Sequence, residues 1–80
     1  MYLAVIDLKP LPNYNLSLTF ENGENRIFDL NPYLNIGIFK ELTNQQIFNT
    51  VKVSFDTIEW ANEADLDPET LYKFSTKITV

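Results

Sequence analysis

The chain has 80 residues, a formal net charge of −5, and neither cysteine nor histidine. Without these two residues there are no disulfides, thiolate metal sites or thiol nucleophiles, and no imidazole base or metal ligand, so Ser-His-Asp and Cys-His hydrolysis are excluded and zinc catalysis is strongly disfavoured. An acidic surface repels phosphate backbones and anionic headgroups, which argues against direct nucleic-acid and membrane partners.

Hydrophobic residues make up 45% of the chain and aromatics 14%, a composition that folds rather than staying disordered. A chain of this length buries only about 60–70% of its unfolded surface, so most apolar side chains are needed for one core and little remains for a deep pocket. The longest apolar run, Met1–Ile6, is too short to span a bilayer. It has no basic residues before it and meets Asp7 at once, unlike a secretory signal. The cytoplasm is the expected compartment.

In chain order, the pattern predicts a first strand over about 2–9, with Pro10 and Pro12 ending it. Leu16, Leu18 and Phe20 alternate with Ser17 and Thr19, giving a half-buried strand over about 14–21. Asn22-Gly23 signals a hairpin, and the return strand covers about 24–30. Two registers compete for that hairpin. A two-residue Asn22-Gly23 turn puts Asp29 on the face of Leu16, Leu18 and Phe20, whereas a three-residue Glu21-Asn22-Gly23 loop puts Phe28 there, opposite Leu16. The second is favoured, because an unpaired Asp in a core is costly.

Asn31-Pro32 reads as a cap followed by proline at the first helical position, opening a short helical region over about 32–48 that Gly37 interrupts. Thr43-Asn44-Gln45-Gln46 fits a capping box with Thr43 as the cap. Two strands follow, over about 50–55 and 57–61, around a tight turn that contains Asp56-Thr57. Asp67-Pro68 starts a helix over about 68–74, with Leu71 and Phe74 facing the sheet. The tail, residues 75–80, is either an extra strand or a frayed end. The whole is a single α+β domain with an antiparallel meander sheet, in the order β-β-β-(short α)-β-β-α. The expected core is Leu16, Leu18, Phe20, Phe28, Leu30, Val51, Val53, Phe55, Ile58, Trp60 and Leu71.

Three blocks carry a family resemblance: Leu18 to Leu34, Gly37-Ile38-Phe39-Lys40-Glu41-Leu42, and Trp60 to Tyr72. Their order and spacing resemble the domain-of-unknown-function family 2442, a group of small bacterial domains, over roughly residues 3–72. The resemblance implies a compact α+β domain with an antiparallel sheet, and no catalytic residues. In longer relatives of this family the domain precedes a helix-turn-helix DNA-binding domain, which this sequence does not contain. Stand-alone members are often encoded beside another small protein, a pairing similar to a toxin–antitoxin arrangement. One departure is Glu63, where relatives often have Gly in the turn after Trp60.

The acidic run Glu59, Glu63, Asp65, Asp67 and Glu69 holds five of the eleven acids without an intervening Lys or Arg. Asp65-x-Asp67-x-Glu69 superficially matches a calcium loop, but the glycine at the sharp turn and the later bidentate Glu are missing. A helix cap at Asp67, a helix N-terminal Glu69 and solvated neighbours explain the run more simply. Trp60 reads as a buried anchor rather than an exposed hot spot. Tyr14 and Tyr33 border turns and read as seals on the core edge. Glu24 and Arg26, two apart on one strand face, read as a surface pair worth little. Nothing places two carboxylates, among Asp29, Asp56 and Glu24, around a cleft for acid–base work.

The expected function is therefore non-catalytic protein binding, antitoxin-like, toward a small basic protein encoded alongside, through Glu59, Glu63 and Asp65. No metal and no cofactor is implied. The alternatives are a small-ligand sensor of the kind that precedes DNA-binding domains, and a cation-dependent minimal enzyme on the acidic run.

Overall fold

The computed structural model describes residues 2–78. In chain order its elements are β1 (Val5–Leu11), β2 (Asn15–Phe20), β3 (Asn25–Asp29), α1 (Gln45–Phe48), β4 (Lys52–Ser54), β5 (Thr57–Glu59), β6 (Asp65–Leu66), α2 (Pro68–Phe74) and β7 (Thr76–Lys77). Three 3-10 segments occupy two of the connections: Pro12–Tyr14 between β1 and β2, and Asn31–Tyr33 and Gly37–Thr43 between β3 and α1. The α+β class holds. The single meander does not: the strands form two antiparallel sheets, one ordered β1-β2-β3-β7 and the other β4-β5-β6.

The β2–β3 hairpin sets the faces of the larger sheet. Phe20 N donates to Glu24 O and Gly23 N to Phe20 O, each at 2.9 Å, with Gly23 at φ 86°. This is the three-residue loop, and it pairs Leu16 with Phe28 and Leu18 with Arg26. Leu16, Leu18, Phe20 and Phe28 are buried while Asp29 is exposed.

β1 begins three residues later than the sequence pattern suggests and runs through Pro10, which pairs with Leu16. A proline is tolerated there because β1 is an edge strand of its sheet, where a missing N–H leaves no neighbour unpaired. The register slips between Val5 and Asp7, so Ile6 stands out of the ladder and is exposed.

The region between the sheets is mostly 3-10 turn. Asp29 Oδ1 accepts from Asn31 N at 3.0 Å and from Asn31 Nδ2 at 2.7 Å, so Asp29, not Asn31, organises that turn. The cap of α1 is Asn44 rather than Thr43: Asn44 Oδ1 accepts from Gln46 N at 3.0 Å. Thr43 belongs to the preceding 3-10 turn, where its hydroxyl donates to Lys40 O at 2.8 Å. From this region Leu42 and Phe48 enter the core fully buried.

Trp60 ties the second sheet to that region. Its indole Nε1 donates to Phe48 O at 3.1 Å, and its ring meets Phe39 edge-on at 6.3 Å. After Trp60 the chain folds back, with Trp60 N donating to Ala64 O and Glu63 N to Trp60 O. That turn produces β6, which the sequence pattern did not reveal, pairing Glu59 with Asp65 and Ile58 with Leu66. Asp67 then caps α2, accepting from Thr70 N at 2.6 Å. The tail forms β7 against β3, with Arg26 opposite Lys77; Thr79 and Val80, at the end of the expected 75–80 tail, lie outside the described residues.

Two expected core positions, Val53 and Phe55, are corrected, and so is the expectation that Phe74 faces the sheet. Val53 is 39% exposed because β4 is the rim of its small sheet; its partner Ile58 takes the covered place. Phe55 is 97% exposed because the alternation stops at Ser54 and the turn comprises Phe55 and Asp56, one residue earlier than predicted. Phe74, in the last turn of α2, is exposed while Leu71 alone is buried. Tyr14 and Tyr33 do seal the core edge, against Phe48 and Phe28 respectively.

Trp60→Ala removes both a fully buried ring and the shorter of the two hydrogen bonds to the Phe48 carbonyl, the other coming from Val51 N at 3.4 Å, so it is expected to cost about 3–5 kcal/mol. Urea unfolding followed by far-UV circular dichroism measures this; an unchanged midpoint would show that Trp60 is not the anchor.

Candidate interaction surface

The small sheet sorts its residues by the alternation of strand faces. Val53, Ile58 and Leu66 share one side, and Lys52, Glu59 and Asp65 form a cross-strand row on the other. Glu59 and Asp65, separated by five residues in the chain, are thereby direct neighbours. Glu59 is half-buried and Asp65 and Lys52 are exposed. Glu63 is exposed in the loop that joins the two acids. Lys52, far from the acidic run in sequence, is the cross-strand partner of Glu59. The other two acids of the run do structural work: Asp67 is the α2 cap and Glu69 lies in the first turn of that helix. The Thr70 backbone N–H holds the Asp67 carboxyl below its usual range.

The loop after Trp60 repeats the loop after Phe20. In both, an Asn side-chain oxygen accepts from a backbone N–H two residues on: Asn22 Oδ1 from Glu24 at 3.0 Å, and Asn62 Oδ1 from Ala64 at 3.1 Å. In both, the third loop residue takes a positive φ, 86° at Gly23 and 71° at Glu63. A side chain in this left-handed region costs about 1–2 kcal/mol, whereas glycine adopts it freely. Glu63→Gly is therefore expected to raise stability by about 0.5–1 kcal/mol, once the greater freedom of glycine in the unfolded chain is subtracted. Chemical denaturation tests this; a loss of stability would show that the Glu63 side chain makes a compensating contact.

Glu24 and Arg26 are not a surface pair. The loop register puts them on the face of Phe20 and Leu18, where α2 covers them. Arg26 donates to Glu24 Oε1 at 2.9 Å, to Ser75 Oγ at 2.7 Å and to Ser75 O at 2.8 Å. Its guanidinium lies 4.3 Å from the centre of the Tyr72 ring, and the Tyr72 hydroxyl donates to Glu24 Oε2 at 2.9 Å. These contacts pin α2 and the start of β7 onto the sheet. The Tyr72 hydroxyl first, then Arg26 and Asn22, hold the Glu24 carboxyl below its usual range against the opposing effect of burial. A lowered folded pKa contributes stability that is present above the unfolded value, about 4.3, and is lost as pH falls through the folded one. Wild type should thus lose stability more steeply than Glu24→Gln between about pH 5 and pH 3, a window set by that unfolded value. Urea midpoints measured across this range test it; parallel curves would remove Glu24 from the acid response.

An open cleft of about 310 Å³ lies between the N-terminal segment and α2, lined by Tyr2, Leu3, Glu69, Tyr72 and Lys73. Among the described residues no cluster of three or more Asp or Glu side chains is arranged to hold a metal ion, and no helix is long and apolar enough to cross a membrane.

A family model described as "Protein of unknown function (DUF2442)" matches residues 5–77. No curated protein and no solved structure matches the chain.

Proposed function

The chain belongs to the DUF2442 family, and we propose that it is a non-catalytic protein-binding domain, antitoxin-like, whose partner is a small basic protein. One observation carries this reading: Glu59 and Asp65 stand side by side on the outward row of the small sheet, with Glu63 in the loop between them. Paired outward carboxylates on a short, rigid sheet form a fixed acidic patch, and such patches steer basic partners into encounter and disfavour acidic ones. The net charge of −5 acts in the same direction. The residue types that serve most nucleophilic and acid–base chemistry, His and Cys, are absent from the sequence, which supports binding over catalysis.

Neutralising the row is a cleaner test than reversing it, because lysines at 59 and 65 would stand in line with Lys52 and repel it. Glu59→Gln with Asp65→Asn should slow association several-fold at low salt and flatten its dependence on ionic strength, since exposed charges are screened over about 8–10 Å near physiological salt. Stopped-flow association with the co-purified basic partner, at several salt concentrations, gives both quantities. Identical rates and slopes would reduce the row to a solvated face.

The cleft beside Tyr2 and Tyr72 supports a second reading, a small-ligand sensor. Its volume of about 310 Å³ falls at the lower end of the range of about 300–1,000 Å³ typical of ligand sites. A bound small molecule in the purified protein, with no protein partner, would favour that reading.

A further inference from the structure

Two places among the described residues put consecutive non-glycine residues at positive φ: Asn13-Tyr14, where the Tyr14 ring packs against Phe48, and the tip of the β4–β5 hairpin. Phe55 and Asp56 form a two-residue turn in which both residues have positive φ, 47° and 71°. That geometry belongs to Asn-Gly and similar pairs, and a bulky aromatic in the left-handed region is an outlier. The strain brings no burial in return, because Phe55 is 97% exposed, the most exposed of the large apolar side chains among the described residues. A single exposed apolar residue is ordinary on a protein surface. An aromatic held at the apex of a strained turn is not, and such strain persists where function requires it.

The tip is also fixed from below. Asp56 O accepts from Val5 N at 2.9 Å, and Asp56 Oδ2 accepts from the Tyr2 hydroxyl at 3.1 Å. These bonds join the hairpin to the N-terminal segment, which Ala4 N ties in turn to Glu21 Oε2 at 2.6 Å. Tyr2 and Ile6, beside this junction, are themselves exposed. The Tyr2 hydroxyl holds its proton more tightly than usual, through its bond to Asp56 and the charges of Asp56 and Glu21. The surroundings of Phe55 are thus apolar in patches and negative in charge.

We propose that Phe55 is the anchor of this domain's protein interface, inserted into an apolar pocket of a basic protein whose Lys or Arg rim meets Asp56 and Glu21. An aromatic anchor in a pocket, surrounded by a charged rim, is the usual anatomy of an interface hot spot. A pre-fixed hairpin lowers the ordering cost of inserting it. The proposal rests on the protein-binding reading above and adds the contact that holds the complex once the acidic row has steered it.

The test begins with p-benzoylphenylalanine in place of Phe55 in the full chain, photolysed in the source cell, with the same residue in place of the exposed Lys9 as control. The protein cross-linked from position 55, produced recombinantly, is then the probe. Binding by wild type and by Phe55→Asn is compared by calorimetry, with thermal melts of both. Asn suits the turn, so the variant should melt no lower than wild type while its affinity falls about 30-fold or more, the loss typical of an aromatic hot spot. Asp56→Asn with Glu21→Gln should slow association and flatten its salt dependence. Affinity unchanged in Phe55→Asn, or a partner acidic at the cross-linked site, overturns the proposal. If the complex then still responds to Glu59→Gln with Asp65→Asn, the protein-binding reading survives without this anchor. No cross-link and no complex with any purified partner overturns both.

Discussion

Everything on the larger sheet depends on the three-residue loop between Phe20 and Glu24. Because strand side chains alternate, a slip of one residue in this hairpin would exchange its two faces. The chosen register keeps Asp29 in water and brings Phe28 under the helical region. It also carries Arg26 and Glu24 onto the covered face, where a charged pair survives only with its hydrogen-bonding capacity filled. Ser75 and Tyr72 fill it. The C-terminal helix and strand are therefore consequences of a turn some fifty residues earlier.

The second sheet is joined to the first by different means. Its three short strands would not be stable alone. Ile58 and Trp60 join Phe48 and Leu42 in the common core, and the Trp60 indole donates to the Phe48 carbonyl at the end of a four-residue helix. One bulky side chain thus supplies apolar area and a hydrogen bond to a buried helix end. In so small a domain, that double role concentrates stability in one residue.

Among the described residues, three of the five non-glycine positions at positive φ, Phe55, Asp56 and Glu63, lie in the turns of the second sheet, and the other two, Asn13 and Tyr14, lie between β1 and β2. Glu59 and Asp65 form the outward row of the second sheet. The larger sheet manages its exposed edge conventionally, with a bulge at Ile6 and a proline at position 10 that discourage edge-to-edge pairing. The difference between the two sheets lies in what covers the strained aromatic: Tyr14 packs against Phe48, whereas Phe55, on the proposed binding surface, is exposed.

Local chemistry was enough to read much of this from the sequence. The alternation of Leu16, Leu18 and Phe20, the loop at Asn22-Gly23, the cap at Asp67-Pro68 and the burial of Trp60 each depend on residues close in the chain. The family resemblance was also legible, because ordered blocks survive in sequence without coordinates. Other features required contacts between distant segments. Pro10 continues β1 only because that strand is at an edge; Val53 and Phe55 are exposed only because β4 is a rim and its turn falls one residue early. Periodicity reports which residues share a face, not whether anything covers that face. The acidic run shows the same division. Its composition was plain, but the fold splits it into a cap, a helix start and a cross-strand pair, and sets Lys52 beside Glu59. Sequence alone determined the β2–β3 hairpin, the Asp67 cap and the approximate place of most strands, since backbone sterics and side-chain spacing act within a few residues. Only the tertiary structure decided which faces are covered and which charges meet, because burial and cross-strand pairing depend on segments far apart in the chain.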